Sequence, residues 1–222
     1  MTFQEYKDEI ELIKEQNDTE FELYPLVVDI IMPTLKNLSK RYVFARRKTE
    51  LGQIYYGISS FPDVAIMERD FRNKQHKDIS INNWNMIRGC VETKKLDSEL
   101  YELDDLIKHL SKVISENKPM KNDIGQLLGE ILWYKKVLYT NGIKWKLFYI
   151  KSYNKKEIGK IIDIVSSRIE KEKDPNSRED FCWWKTKEIE EIVNKISEKT
   201  ISENCLDNWE DFEKEINTID WN

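Results

Sequence analysis

Apolar side chains change their spacing twice along this chain, and that change limits it to a mixture of helices and strands. From Phe3 to about Gln16, Phe3, Tyr6, Ile10 and Ile13 fall at three- and four-residue steps, as on one helix face. A second helix is expected from near Pro25 through Leu26, Ile30, Leu35 and Leu38, with Pro33 kinking or splitting it. The texture then turns β-branched and aromatic. Tyr42–Ala45, Ile54–Ile58, Phe61–Met67 and Met86–Lys95 read as strands, with a polar connection over Glu68–Asn85. Helical spacing returns over Ser98–Glu116 and Asp123–Tyr139, and Asn141-Gly142 stops the second of these before a strand at Ile143–Ile150. Helices are expected again over Lys155–Lys173 and Glu179–Lys199, around a turn at Asp174–Ser177. A strand–helix–strand crossover inside this order implies an α/β fold, a mixed central sheet flanked by helices.

The 222 residues suffice for one sizeable core. No apolar run approaches the ~18 residues of a membrane span, and the acidic N-terminal residues do not suit a secretory signal, so a cytoplasmic setting without membrane contact is expected. Three scattered cysteines (Cys90, Cys182, Cys205) and two histidines (His76, His109) lack zinc-site spacing and read as reduced thiols and surface rings. The net charge of −5 argues against holding nucleic acid by bulk charge. Local clusters soften that conclusion. Lys36, Lys40, Arg41, Arg46, Arg47 and Lys48 occur with no acid between them, and Lys144, Lys146, Lys151, Lys155, Lys156 and Lys160 with Glu157 alone. Either stretch could track a phosphate backbone or simply form a solvated face.

Charge inside the apolar strands is the chemically informative feature. Glu92 and Lys94 are two apart in a strand and project to the same face, while Asp63 stands among Phe61, Pro62, Val64 and Ala65. Charges in such surroundings are expensive unless paired, metal-bound or solvated. Two carboxylates and an ammonium that converge would suit Mg²⁺, which takes one or two protein carboxylates and keeps several waters.

Pro62-Asp63, about thirty residues, then Glu92-x-Lys94 on an apolar strand resembles the PD-(D/E)xK nuclease superfamily, with its restriction-endonuclease-like fold. The Asp123–Tyr139 helix, leading through Thr140-Asn141-Gly142 into the next strand, is similar to the nuclease domains of type I restriction subunits. The resemblance covers roughly residues 20–150 and leaves residues 151–222 as a helical C-terminal extension packed on the same domain. It implies an Mg²⁺-dependent nuclease (Mn²⁺ substituting) that hydrolyses phosphodiester bonds, with DNA the expected substrate and host defence or mobile-element biology the setting. By the same resemblance Asp63 and Glu92 are metal ligands, Lys94 is the catalytic lysine and Gln126 lies near the substrate. Glu22, or else Asp29, completes the metal site from the preceding helix.

Each element also has a plainer interpretation. Pro62-Asp63 is a common turn pair, Glu92 and Lys94 could form a surface ion pair worth ~0–1 kcal/mol, and Gln126 stands at capping-box spacing from Asp123. Trp183-Trp184 suits a core better than a base-stacking platform. The alternative function is a catalytically silent nuclease-fold protein that binds nucleic acid or protein, docking a partner or a second copy through its acidic C-terminal segment with Trp209 and Trp221.

Overall fold

Strand parity assigns each helix of this protein to one side of a single sheet. The computed structural model describes residues 1–43, 52–72, 75–76, 78–173 and 182–222. Its strands are β1 (Leu38–Tyr42), β2 (Val64–Glu68), β3 (Ile87–Thr93), β4 (Lys136–Thr140), β5 (Trp145–Ile150) and β6 (Ile196–Ser202), hydrogen-bonded in that order. All neighbours are antiparallel except β3 and β4. A parallel pair needs a crossover, and α5 (Leu103–Glu116) with α6 (Asn122–Tyr134) supplies it.

Alternate residues of each strand face opposite layers. Ala65, Met67, Cys90, Val137, Tyr139 and Phe148 pack toward α5, α6 and α7 (Lys155–Lys173). Val64, Ile66, Val91, Leu138, Trp145 and Leu147 pack toward α1 (Phe3–Gln16), α2 (Glu20–Leu35) and α9 (Trp209–Asn217). The result is a mixed six-stranded sheet between two helical layers, as the apolar spacing implied.

Several elements differ from expectation for identifiable reasons. Helix α2 starts at Glu20, not near Pro25, and runs unbroken past Pro25 and Pro33 to Leu35. Both prolines and the residues four positions before them, Phe21 and Asp29, are exposed, so water can satisfy the carbonyls they free. Ile54–Ile58 is no strand. It contains the short helix α3 (Gln53–Tyr56), whose Ile54 and Tyr55 carbonyls accept from the Trp133 indole and the Tyr134 hydroxyl. Its aromatic character reflects burial against α6. Gly57 closes that helix at φ 58°, where a Cβ would meet the Trp133 ring at 2.5 Å. The polar connection contains a further short helix, α4 (Ile81–Asn85).

The helix expected over Asp123–Tyr139 ends at Tyr134. Lys135 takes φ 68°, its ammonium donates to the Trp84 and Ile87 carbonyls, and β4 starts at the next residue. No Gly or Pro marks that junction, so the two elements read as one. Within Glu179–Lys199, residues 179–181 lie outside the described residues. The rest divides into a single 3₁₀ turn, α8 (Lys187–Val193) and the start of β6. The C-terminal segment is therefore not wholly helical, since it adds an edge strand to the sheet. The expected first strand at Tyr42–Ala45 lies earlier, at β1, and Phe44, Ala45 and the turn at Asp174–Ser177 lie outside the described residues. No described helix is long and apolar enough to cross a membrane.

Candidate active site

Pro62 and Asp63 sit at the entrance to β2, and the β2–β3 register (Val64 opposite Val91) brings Asp63 level with Glu92 near the end of β3. Cys90 faces the α6 layer, so Glu92 does too, whereas Val91 and Thr93 face α2. Asp63 bridges the two faces. Its Oδ2 accepts from the Thr93 amide and the Thr93 hydroxyl, each at 2.6 Å, and its Oδ1 accepts from the Tyr24 hydroxyl of α2. The first carboxylate is thus fastened to the residue between Glu92 and Lys94.

Glu92 is 2% exposed. Its Oε1 accepts from Lys94 Nζ at 2.5 Å and from Gln126 Nε2 at 2.8 Å, and its Oε2 is buried with no hydrogen-bond partner among the described residues. Lys94 follows the last β3 residue and keeps a backbone bond to Thr140, while its side chain stays one-fifth exposed. Same-face projection of Glu92 and Lys94 is realised, but as a largely buried ion pair and not as a surface one. Gln126 also donates to Glu130 Oε1 at 3.3 Å, so its amide serves two carboxylates and no helix-end amide. Helix α6 begins at Asn122, which leaves no capping box between Asp123 and Gln126.

Two acids that the sequence analysis did not select belong to this cluster. Glu130, one turn after Gln126, is 1% exposed, and its Oε2 also has no partner among the described residues. A single acid between Gly129 and Ile131 in an apolar helix was the available signal. Glu20, in the first turn of α2, is close enough to Lys94 and Asp63 for both to influence its carboxyl. Glu22 and Asp29 are not at the site. Glu22 is exposed and accepts from the Asn17 amide, and Asp29 is exposed with its field falling on Tyr42. At ~100° per residue Glu22 is turned ~200° from Glu20 around the helix. With α2 starting at Glu20 rather than near Pro25, its first turn supplies the acid.

Electrostatics follow from three close carboxyls and one ammonium. Burial, then the neighbouring Asp63, pushes the Glu92 carboxyl up to about 8. Burial, then Glu92, pushes Glu130 well above the usual carboxylate range, and burial raises Asp63 despite its hydrogen bonds from Thr93 and Tyr24. Burial alone would lower Lys94, but Glu92 outweighs it and holds the ammonium charged. Among the described residues the cluster carries more acid than its one cation, Lys94, can neutralise.

Hard oxygen donors with that excess of acid fit a magnesium-like ion. Among the described residues the unpartnered Glu92 Oε2 is an acceptor in want of a cation or a proton, and Asp63 Oδ1, with its one bond from Tyr24, keeps lone-pair capacity, whereas Oδ2 already accepts twice from Thr93. No group of three or more His, Cys, Asp or Glu side chains is arranged to hold an ion among the described residues. Two carboxylates are enough for a cation that retains most of its waters.

The other singled-out residues divide. Lys146 is 2% exposed, bonded to Glu102 and Glu198, and is no backbone-tracking residue. Arg46, Arg47 and Lys48 lie outside the described residues. Trp183 is core, and Trp221 is 1% exposed with its indole donating to Thr34, so it is not available to dock a partner. Trp209 packs on Tyr6 and Phe212. No family model, curated protein or solved structure matches this chain.

Proposed function

We propose that the protein is a divalent-cation-dependent nuclease of the PD-(D/E)xK type, hydrolysing phosphodiester bonds with DNA as the expected substrate. The observation that carries this is the meeting of Asp63, Glu92, Lys94 and Gln126, drawn from three elements, at one end of the sheet. Asp63 and Glu92 would hold the ion. When bound, Mg²⁺ supplies Lewis-acid polarisation of a phosphoryl oxygen and lowers the pKa of a coordinated water.

The chain's own side chains do the positioning. Thr93 and Tyr24 fix the Asp63 carboxylate in one orientation, and Gln126 fixes Glu92 Oε1, leaving Oε2 available. Lys94 is the one partly exposed cation of the cluster among the described residues, able to orient an attacking water and to offset charge on the pentavalent phosphorus centre. Its ion pair with Glu92 keeps it protonated, which suits charge stabilisation and water orientation better than proton abstraction. Glu20 faces the same ammonium from α2 and takes the position expected of an acid on the preceding helix.

The test is cleavage of supercoiled plasmid and labelled oligonucleotides by the purified chain with Mg²⁺ or Mn²⁺. Divalent-dependent nicking or cutting by wild type, abolished in a folded Lys94→Ala variant, is the expected result. Intact DNA and RNA substrates across Mg²⁺, Mn²⁺ and Co²⁺ would overturn the proposal and leave the silent, binding-only alternative.

A further inference from the structure

At the other end of β1 lies a groove of about 450 Å³, where α2 ends and the chain leaves β2. Lys36, Lys40, Arg41, Arg69 and Arg72 line it together with Leu38, and no described Asp or Glu does. That imbalance is notable in a chain with more acids than bases. Five like charges from three segments repel one another, so a concave surface that gathers them favours an anion. Arg69 donates to the Lys36 carbonyl and Arg72 to the Arg69 carbonyl. Each guanidinium has five N–H groups, so both retain further donors. Of the nearby acids Glu68 pairs with Arg88, while the exposed Asp70, Asp29, whose field reaches Tyr42, and Asp220, whose carboxyl feels Lys36, are not among the residues that line it. The second basic stretch is different. Lys155, Lys156 and Lys160 share their cavity with Glu157, Asp163, Glu188 and Glu191.

β1 connects this groove to the candidate active site. Its Tyr42 pairs with Val64, and the next residue, Val43, donates its amide to the Asp63 carbonyl at 3.0 Å. From Leu38 to Val43 the strand covers roughly 17 Å at ~3.3 Å per residue. Along one strand of a B-form duplex, at ~3.4 Å per nucleotide, that is about five nucleotides. Among the described residues β1 pairs only with β2, so its other edge can offer amides to phosphate oxygens.

We propose that the groove between α2, β1 and the β2 exit binds the nucleic-acid backbone about five nucleotides from the scissile phosphate, with β1 as the rail between the two points. This rests on the nuclease reading of the site and adds the direction of approach. A row of cations directed at the site fits a repeating phosphodiester chain better than a single phosphate, which two or three donors would hold.

The experiment is fluorescence anisotropy of the full chain with a labelled 30-bp duplex in EDTA, titrated over 50–300 mM KCl. A Lys36→Ala/Arg69→Ala/Arg72→Ala variant, all exposed positions, should weaken binding at least 10-fold at 100 mM KCl. It should also reduce the slope of log K against log salt by about 2–3, at ~0.9 per lost phosphate contact. Lys151→Ala/Lys155→Ala/Lys156→Ala, with the same change in charge, should leave the slope as in wild type. Equal losses in both variants, an unchanged groove variant, or displacement of the duplex by 10 mM inorganic phosphate would each overturn the proposal. Failure of the two proposals is separable. Groove-dependent binding without cutting by any divalent ion removes hydrolysis and keeps the groove, whereas cutting with unchanged KM in the groove variant does the reverse.

Discussion

Two charged clusters lie in one cross-strand row of the sheet, and they are built on opposite terms. Glu92 on β3 is level with Tyr139 on β4, which is level with Lys146 on β5. The clusters stand roughly 10 Å apart, two strand spacings. Around Lys146 one cation meets two carboxylates: Glu198 Oε1 at 3.0 Å, with Glu198 Oε2 taken by the Leu103 amide, and Glu102, which is half exposed. No buried side-chain oxygen there is left without a partner among the described residues, and the Glu102 carboxyl is held below its ordinary value by its bond from Lys146. Around Glu92, among the described residues, one cation meets Asp63, Glu92 and Glu130, two buried oxygens have no partner, and all three carboxyls are pushed upward. A satisfied cluster fixes the fold. An unsatisfied one is strained by its own charge and is completed by a ligand or a proton.

The largest expected effects separate the clusters by readout. Lys94→Ala should reduce cleavage by at least about 10²–10³-fold, the scale for losing one preorganised charge at a reaction centre, while the protein stays folded. Lys146→Met should leave the cleavage rate within a few-fold at temperatures where the variant is folded. Denaturant unfolding should show it less stable by about 3 kcal/mol, the low end for breaking a buried pair, because Glu102 can turn to water. The reverse pattern would break the distinction.

An intermediate effect is the pH dependence of stability in EDTA. With Glu92 raised to about 8 from an ordinary 4.5, the folded chain keeps a proton in that window which the unfolded chain has released. Stability from this group is therefore fully present below about pH 4.5 and is lost as pH rises through about 8. Thermal melts should show Tm falling across pH 5–9, by about 2–4 °C per kcal/mol lost in a protein of this size. Glu92→Gln should flatten that fall, and a profile unchanged by this substitution would contradict the assigned cause. Since ligation requires the carboxylate, Mg²⁺ affinity should rise with pH over the same range.

How much of this was legible in the sequence depended on context along the chain. Asp63, Glu92 and Lys94 stood out as charges within apolar strand sequence, and in the structure Thr93 fastens Asp63 to β3 while Lys94 pairs directly with Glu92. Glu130 escaped notice because an acid four residues after a polar one is ordinary helix sequence, although its flanks are wholly apolar. Choosing Glu22 over Glu20 followed from misplacing the start of α2, since two residues turn a helical side chain to the far face. Strands β4 and β6 were hidden because each follows a helix closely, with no Gly or Pro at the junction. Tyr24 carries no local signal at all, and its role comes only from tertiary contact with Asp63.

The smallest effect sharpens that last correction. Glu20→Ala should lower cleavage about 10-fold or less, through its influence on Lys94, and Glu22→Ala should leave steady-state rates unchanged. A larger loss from Glu22→Ala would return the helix acid to the position first expected.

Manganese binding followed by electron paramagnetic resonance tests the central contrast most directly, because it needs no substrate. Wild type should bind Mn²⁺ near pH 8, Asp63→Asn and Glu92→Gln should each lose that binding, and Lys146→Met should retain it. Binding unaffected by the Asp63 and Glu92 substitutions, or no binding by wild type, would contradict a metal-dependent site at the end of β3.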